Sequence, residues 1–195
     1  VYKRQERIKR VSGALLAGQT VRYWSPWPVA GEAPAGVEKA DAPEAADFAL
    51  TLTPQGGALH LVPRIGVLGV GCRRGTTAER LEEAFSAFCA SSGLSPAAVS
   101  AAASIDLKKD EPGLSAFCKA HGWPITFYPA DELRAVPGQF TPSAFVASVT
   151  GVDNVCERSA VKASGGTLLL PKTAGGGVTL ALAVRPFAPD WRTEQ

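Results

Sequence analysis

The chain has 195 residues, 46% hydrophobic and 19% charged, which is enough apolar material for a packed core. A formal net charge of only +2 argues against nucleic acid or an acidic membrane surface as partner. No apolar run reaches the length of about 18 residues that a membrane span needs, and no two cysteines have the CxxC spacing of a zinc site. Free cysteines on apolar helix faces predict a reducing, cytoplasmic compartment. Because methionine is absent, we expect a piece of a longer protein.

The first third of the chain predicts a small β-rich segment. Residues 1–10 are basic without a following apolar stretch, which is atypical of a signal peptide, and we interpret them as an edge segment. Residues 21–24 predict a short strand. Residues 48–52 and 58–62 flank a turn sequence and predict a β-hairpin. Residues 11–63 are too few for a large core of their own.

Strand and helix patterns alternate from residue 65 onward. Residues 65–70 form a continuous apolar run, typical of a strand covered on both faces. Thr76 and Glu79 have the spacing of a capping box, and a helix pattern follows to Gly93. The later predicted elements are strands at 101–105 and 124–128, a helix that Asp110 or Glu111 caps, helices at 131–135, 143–149 and 156–163, and antiparallel strands at 167–170 and 178–184.

This order predicts an α/β fold, namely a three-layer α/β/α sandwich with a mixed, mostly parallel sheet and a small N-terminal β-rich segment. The predicted domain spans residues 64–187, and residues 188–195 are interpreted as a tail.

The most informative stretch is residues 69–76, which read Gly-Val-Gly-Cys-Arg-Arg-Gly-Thr. At a strand–helix junction, such a loop directs backbone N–H groups and cationic side chains toward one point and predicts an anion site. Arg73 and Arg74 suit carboxylates because the guanidinium group can form two parallel hydrogen bonds. The glycine spacing departs from GxGxxG, which disfavours the alternative of a dinucleotide-binding oxidoreductase.

Several motifs in order resemble the C-terminal part of the CbiG family of cobalamin biosynthesis, the cobalt-precorrin-5A hydrolases. Residues 11–63 resemble the middle segment of that family, whereas its N-terminal domain has no counterpart in this sequence. The C-terminal part is also similar to CobE, a free-standing relative. The stretches that carry the resemblance are residues 69–76, 104–111, 127–133, 151–157, 170–172 and 177–181.

The resemblance implies a hydrolase that opens the δ-lactone of cobalt-precorrin-5A and releases acetaldehyde in anaerobic cobalamin (vitamin B12) biosynthesis. The cobalt belongs to the tetrapyrrole substrate, so neither a cofactor nor a protein metal site is implied. The implied partners are a cobalt-precorrin and either the N-terminal domain or other corrin-pathway enzymes. One alternative is a non-catalytic module, similar to CobE, that binds a precorrin or cobalt-precorrin. The other is a purely structural scaffold.

The substrate that the resemblance implies carries many carboxylates, which need cations. Because the carboxyl ends of parallel strands share one edge of a sheet, we expect the cations that follow them to face a common cleft. The alternative is that these cations are ordinary solvated surface residues with no binding role. The predicted substrate-binding residues are Gly71, Cys72, Arg73, Arg74, Gly75, Thr76, Lys108 and Lys172.

Lactone hydrolysis needs a base that activates water, donors for the oxyanion and an acid for the leaving oxygen. Asp106, at the end of a predicted strand, is our first candidate base, and Glu157, at the start of a helix, is the second; helix capping is the alternative role for Glu157. The backbone of residues 71–76 is predicted to hold the oxyanion. A thiol beside a helix N-terminus and two arginines predicts a lowered pKa for Cys72, although a structural role is favoured. Both histidines are interpreted as structural.

Overall fold

The computed structural model describes residues 2–143, 148 and 150–192. The chain forms two compact units, Val1–Pro63 with Phe187–Gln195, and Arg64–Pro186. The helix predicted at residues 143–149 falls mostly on residues 144–147 and 149, which lie outside the described part of the chain.

The first unit contains one helix and a four-stranded parallel sheet of order β2-β1-β3-β4. Helix α1 covers the sheet, and Val11 of the helix packs in one cluster with Val21, Tyr23, Phe48 and Leu59. A 3₁₀ turn at Pro43–Ala45 precedes the third strand. The elements are α1 (Tyr2–Leu16), β1 (Val21–Trp24), β2 (Val37–Lys39), β3 (Phe48–Leu50) and β4 (Leu59–Leu61).

The structure differs from three expectations for this unit. Residues 2–16 are a helix that helps to form the core rather than an edge segment, and the predicted tail contributes Trp191, whose ring meets Tyr23 edge-on at 4.9 Å. Strands β3 and β4 are parallel, with Phe48 beside Leu59, instead of forming a hairpin. The parallel register places both of these side chains in the same apolar cluster, so burial decides the pairing.

The second unit is built on a five-stranded mixed sheet of order β7-β6-β5-β9-β8. The first three strands in sequence are parallel, whereas β9 runs antiparallel to both of its neighbours. This confirms the predicted α/β class. The strands are β5 (Gly66–Cys72), β6 (Val99–Ile105), β7 (Ile125–Tyr128), β8 (Thr167–Gly175) and β9 (Val178–Val184).

Helices cover both faces of this sheet. On one face, α5 lies so close to β5 that a Cβ at Gly69 would overlap the carbonyl oxygen of Cys156, and Ser159 Oγ donates to the Ala103 carbonyl at 3.2 Å. On the other face, α2 and α3 meet through the rings of Phe85 and Phe117. The helices are α2 (Ala78–Ser92), α3 (Pro112–His121), α4 (Ala130–Arg134) and α5 (Val155–Ser164), with 3₁₀ turns at Pro96–Ala98 and Asp106–Lys108.

The start of α2 differs by one residue from the prediction. Thr77, not Thr76, is the N-cap, and its hydroxyl accepts a hydrogen bond from the Arg80 N–H at 3.3 Å. Gly93 ends α2, as predicted, and Gly122 ends α3, each with a positive φ of 67°. Since α2 follows β5 and α3 follows β6 in the chain, both helices begin at the edge of the sheet where these strands end.

The close approach of α5 to β5 predicts a large cost for Gly69→Ala. The added methyl group would displace α5, and we expect the free energy of unfolding to fall by about 3 kcal/mol or more. Gly175→Ala is the matched control, because nothing lies within 4 Å of that position and its φ is not positive; we expect a change below about 0.5 kcal/mol. Urea denaturation followed by circular dichroism measures both, and equal stability of the two variants would contradict the packing.

Candidate functional site

The candidate site lies at one edge of the five-stranded sheet. Strands β5, β6 and β7 end there at Cys72, Ile105 and Tyr128, and β9 begins there because Val178 pairs with Cys72. The loops that follow these strands therefore share that edge, as the sequence analysis expected.

The loop after β5 uses most of its backbone N–H groups within the protein. The Arg73 N–H donates to the Gly177 carbonyl at 3.0 Å, and the Thr76 N–H donates to the Arg73 carbonyl at 3.3 Å. The Thr76 hydroxyl donates to the same Arg73 carbonyl at 2.8 Å. The Gly75 N–H donates to a carboxylate oxygen of Glu111 at 2.8 Å. The expectation that this loop offers open N–H groups to an oxyanion is therefore wrong for these residues.

Glu111 supplies the anion that the loop binds. Its side chain is buried, and its second oxygen accepts a hydrogen bond from Lys108 Nζ at 3.0 Å. The Gly75 N–H, followed by the Lys108 ammonium group, holds the pKa of the Glu111 carboxyl below its usual range. Lys108 is thus an internal partner of Glu111 rather than a free cation. The sequence signal was the three-residue spacing of these two charges just before a helix; we interpreted Glu111 as a helix cap or a candidate acid and did not pair it with Lys108.

Arg73 and Arg74 keep their charges available at this edge, as does the exposed Lys109 in the loop after β6. Both arginines are exposed, and within the described residues neither guanidinium group has a hydrogen bond or an ion pair. The stem of Arg73 lies over Gly177, where a Cβ would come within 2.9 Å of Arg73 Cδ. Arg74 is close enough to contribute, as the smallest effect, to the lowered pKa of Glu111. These two side chains can receive a carboxylate from outside the protein.

Asp106 lies at the same edge, directly after β6. It is half-buried as the first residue of the 3₁₀ turn, and its carbonyl accepts the Lys109 N–H at 3.0 Å. Among the residues that the structure describes, no donor bonds to its carboxylate. The side chain is therefore free to accept a proton from a bound water.

Lys172 does not join the arginines. It lies within β8 rather than after a strand, at an irregularity of the ladder that follows Pro171. A proline has no N–H for the ladder, and the N–H of Lys172 turns away and donates to Glu157 at 2.6 Å. Its ammonium group donates to the Thr141 carbonyl at 3.3 Å. The structure thus places Lys172 on the α5 face of the sheet, opposite Glu111 and α3, and the expected common cleft with Lys172 is wrong.

Glu157 is a fully buried acceptor in α5. Its carboxylate receives the Thr141 N–H at 2.8 Å, the Thr141 hydroxyl at 2.9 Å and the Lys172 N–H at 2.6 Å. Asn154 caps α5 through the Glu157 N–H and donates its amide to the Thr141 carbonyl at 2.8 Å. This arrangement anchors Thr141 and β8 to the start of α5. A catalytic role for Glu157 stays a prediction, but its oxygens are already engaged.

The expected lowered pKa of Cys72 is wrong in direction. Burial raises the pKa of this thiol, and Lys108 opposes that effect only in part because Glu111 neutralises the lysine. Burial likewise raises the pKa of Cys89 to about 11 and that of Cys118 to about 12. Cys156 is buried as well, with a pKa raised to about 11. All four cysteines are free thiols, and none of them has the environment of a nucleophile.

Both histidines make structural contacts. His121 stacks on Trp123 with ring centroids 4.1 Å apart, and its Nε2 lies 2.6 Å from Glu82. Nε2 of His60 bonds to the Gln55 carbonyl at 2.9 Å. Within the described residues, no group of three or more His, Cys, Asp or Glu side chains could hold a metal ion. No helix in that part of the chain is both long and apolar enough to cross a membrane.

The fold and this edge together define a mixed α/β sandwich domain whose loops after β5 and β6 present the exposed Arg73 and Arg74 and the half-buried Asp106 at one edge of the sheet. Residues 66–183 match the family model described as "Cobalamin synthesis G C-terminus". Because this match covers more than half of the sequence, the chain belongs to that family.

Curated relatives agree with the family. The chain is 36% identical over 126 residues to a cobalt-precorrin-5A hydrolase of Priestia megaterium, and 36% identical over 124 residues to one of Salmonella typhimurium. Each match covers 64% of this chain but only 33% and 35% of those proteins, so the chain spans about a third of their length. It is also 32% identical to protein CobE of Sinorhizobium sp., over 60% of this chain and 78% of that protein.

Solved structures show the same fold. The crystal structure of CobE, described as a protein from the cobalamin biosynthetic pathway, superposes with a TM-score of 0.57 at 34% identity, over 63% of this chain and 92% of that chain. A cobalamin biosynthesis protein G homologue from Sulfolobus solfataricus resembles the fold alone, with a TM-score of 0.54 at 17% identity over 93% of this chain and 55% of that one.

Replacement of Glu111 by glutamine should destabilise the second unit in a pH-dependent way. Since the folded pKa of Glu111 is depressed, its contribution is complete above the unfolded value of about 4.3 and is lost as the pH falls through the folded pKa. We expect Glu111→Gln to cost about 1.5–3 kcal/mol at pH 7, and we expect this difference from the wild type to vanish in acid. Urea denaturation at pH 7, 5 and 3.5 measures it.

The control for this measurement is Glu83→Gln, which removes an exposed carboxylate paired with Arg80. Such a surface pair contributes little, so its variant should stay within about 0.5 kcal/mol of the wild type at every pH. A loss in Glu111→Gln that is independent of pH would contradict the assignment of the internal anion.

Replacement of Glu157 by glutamine tests whether this residue is an anchor. In any orientation the amide nitrogen of glutamine would face an N–H or O–H donor, because both carboxylate oxygens accept hydrogen bonds. We expect a loss of about 3 kcal/mol in the free energy of unfolding. Glu132→Gln, at a half-exposed ion pair with Lys162, is the control. Wild-type stability of Glu157→Gln, measured by urea denaturation, would speak against the anchor.

Proposed function

We propose that this chain binds cobalt-precorrin-5A and that, as part of a longer hydrolase, it opens the δ-lactone of that substrate. Membership of the cobalamin synthesis G family supports a role in cobalamin biosynthesis. The single observation that carries the proposal is that Arg73 and Arg74 after β5, and Asp106 after β6, lie at the same edge of the sheet with no hydrogen bond to their charged groups among the described residues. Four free thiols support a reducing compartment such as the cytoplasm.

The binding step rests on Arg73 and Arg74. A precorrin is rimmed with acetate and propionate carboxylates, and each guanidinium group can receive one of them through two parallel hydrogen bonds. Glu111 neutralises Lys108 and fixes the loop through Gly75, so the two arginines project from a rigid loop. A rigid loop reduces the entropy cost of binding.

The hydrolytic step is assigned to Asp106. Its carboxylate takes a proton from a water molecule, and the resulting hydroxide adds to the lactone carbonyl carbon. An arginine side chain stabilises the oxyanion that forms. When the carbon–oxygen bond of the lactone breaks, the leaving oxygen takes back the proton from Asp106. The freed hydroxyl group then loses its proton and becomes the carbonyl group of acetaldehyde as the carbon–carbon bond between the two-carbon unit and the macrocycle breaks. The electron pair of that bond stays on the macrocycle, which takes up a proton.

A second candidate function is a module that binds a precorrin without turnover. Two observations favour it: the match covers 78% of CobE but only about a third of either hydrolase. In addition, Glu111 and Glu157 are both engaged in hydrogen bonds, which leaves Asp106 and the exposed Asp110 as the unengaged acids in the loops after β5 and β6 among the described residues. In this case the other catalytic groups come from another part of a longer protein.

The binding proposal predicts that Arg73→Ala and Arg74→Ala each weaken binding of a polycarboxylate macrocycle by about tenfold or more. Uroporphyrin, an octacarboxylate, is the probe, and quenching of its fluorescence gives the dissociation constant. Arg64→Ala removes the same charge just before β5, at the opposite edge of the sheet, and should leave the constant unchanged. Equal weakening by all three variants would reduce the effect to net charge and overturn the site.

The catalytic proposal predicts that Asp106→Asn lowers acetaldehyde release from cobalt-precorrin-5A by about 100-fold or more without weakening substrate binding. The reaction is measured in a full-length hydrolase that carries this domain, with Asp110→Asn as the exposed control. Full turnover by Asp106→Asn would remove this residue as the base. Binding by the variant and by the isolated chain, combined with no acetaldehyde from the isolated chain, would favour the module.

A further inference from the structure

The first unit contains a cavity of about 430 Å³ that the proposed function does not use. It lies over the sheet on the face opposite α1. The small side chains of Ala49 and Ala58 line its floor, and Thr51 is the buried polar residue that lines it. A volume of this size is typical of a pocket for a small molecule.

Two aromatic side chains stand on either side of this floor. In the parallel register Trp24 pairs with Ala49, and Ala49 pairs with His60, so the three residues form one row across β1, β3 and β4. All three line the cavity. Two strand spacings separate the outer residues by about 10 Å. A planar ring needs about 3.5–4 Å to each neighbouring ring. The alanine therefore leaves a slot for one flat ring between the indole and the imidazole.

The polar groups of the cavity favour a ligand that donates hydrogen bonds and carries positive charge. Glu44 is the one charged side chain among the lining residues, all of which the structure describes. The Gln55 carbonyl can only accept, so Nε2 of His60 carries the hydrogen of their bond, and Nδ1 of the neutral ring is an acceptor. A cation over the indole face of Trp24 gains a further attraction.

We infer that this cavity binds a planar aromatic cation, a ring that carries an amidinium group or a protonated nitrogen. The ring occupies the slot between Trp24 and His60, and the cationic group bonds to the Glu44 carboxylate. The inference is independent of the tetrapyrrole proposal, because every lining residue belongs to the first unit.

Benzamidine, a planar aromatic cation, is the probe, and titration of the whole chain followed by NMR chemical shifts measures its binding. We expect saturable binding with a dissociation constant of about 1 mM, an affinity reasonable for so small a ligand. Benzoate has the same ring with the opposite charge, and we expect it to bind at least about tenfold more weakly. Failure of benzamidine to saturate, or equal binding of both compounds, would overturn the inference.

Variants locate the site. Glu44→Gln should weaken benzamidine binding about fivefold, whereas Glu32→Gln, an exposed glutamate that does not line the cavity, should have no effect. Trp24→Ala should abolish saturation, and Trp24→Phe, which keeps an aromatic ring and the fold, should retain weakened binding. Unchanged affinity in Glu44→Gln and Trp24→Phe together would place the probe elsewhere and overturn the assignment.

Discussion

The carboxylate of Glu111 is the contact on which the candidate site depends. A glycine-rich loop at a helix start collects unpaired N–H groups and cations, and burying such groups without an acceptor is costly. Glu111 resolves this within the chain by accepting from Gly75 and Lys108. The same contact holds α3 against the loop, where a Cβ at Gly113 would overlap the Thr76 carbonyl oxygen. An external anion therefore meets the arginine side chains rather than the loop backbone.

Glu157 anchors chain segments on one face of the sheet, as Glu111 anchors the loop after β5 on the opposite face. Each carboxylate lies at the start of a helix and accepts N–H groups from segments that have no ladder partner there. A buried charge is tolerable only when several donors surround it, so both positions depend on distant residues that fold correctly. Glu111 thus ties the loop after β5 to α3, and Glu157 ties Thr141 and β8 to α5. A carboxylate engaged in this way is poorly suited to activate water.

Local patterns predicted the second unit well, whereas features set by distant contacts were missed. The apolar spacing of α2, with Leu81 and Phe85 buried, and the glycine ends of α2 and α3 depend on residues within a few turns. Parallel pairing of β3 and β4 depends on a shared core, which a turn sequence does not reveal. The pKa of Cys72 depends on burial and on Glu111, which is distant in sequence. Lys172 was misplaced because Pro171, read as a strand end, sits inside an irregular strand.

The acidic residues differ in whether their carboxylates already accept hydrogen bonds from the protein, and this difference restricts which of them can act as a general base. A general base needs a lone pair that faces water, and hydrogen bonds from the protein to a carboxylate remove that lone pair and lower its basicity. Both oxygens of Glu111 and both oxygens of Glu157 already accept hydrogen bonds, whereas among the described residues no donor bonds to the carboxylate of Asp106. Lys108 is paired with Glu111, so the unpaired charges in the loops after β5 and β6 among the described residues are the cations Arg73, Arg74 and Lys109 and the acids Asp106 and Asp110. In the proposed function, a polycarboxylate ligand pairs with the arginines and brings its lactone carbonyl to Asp106.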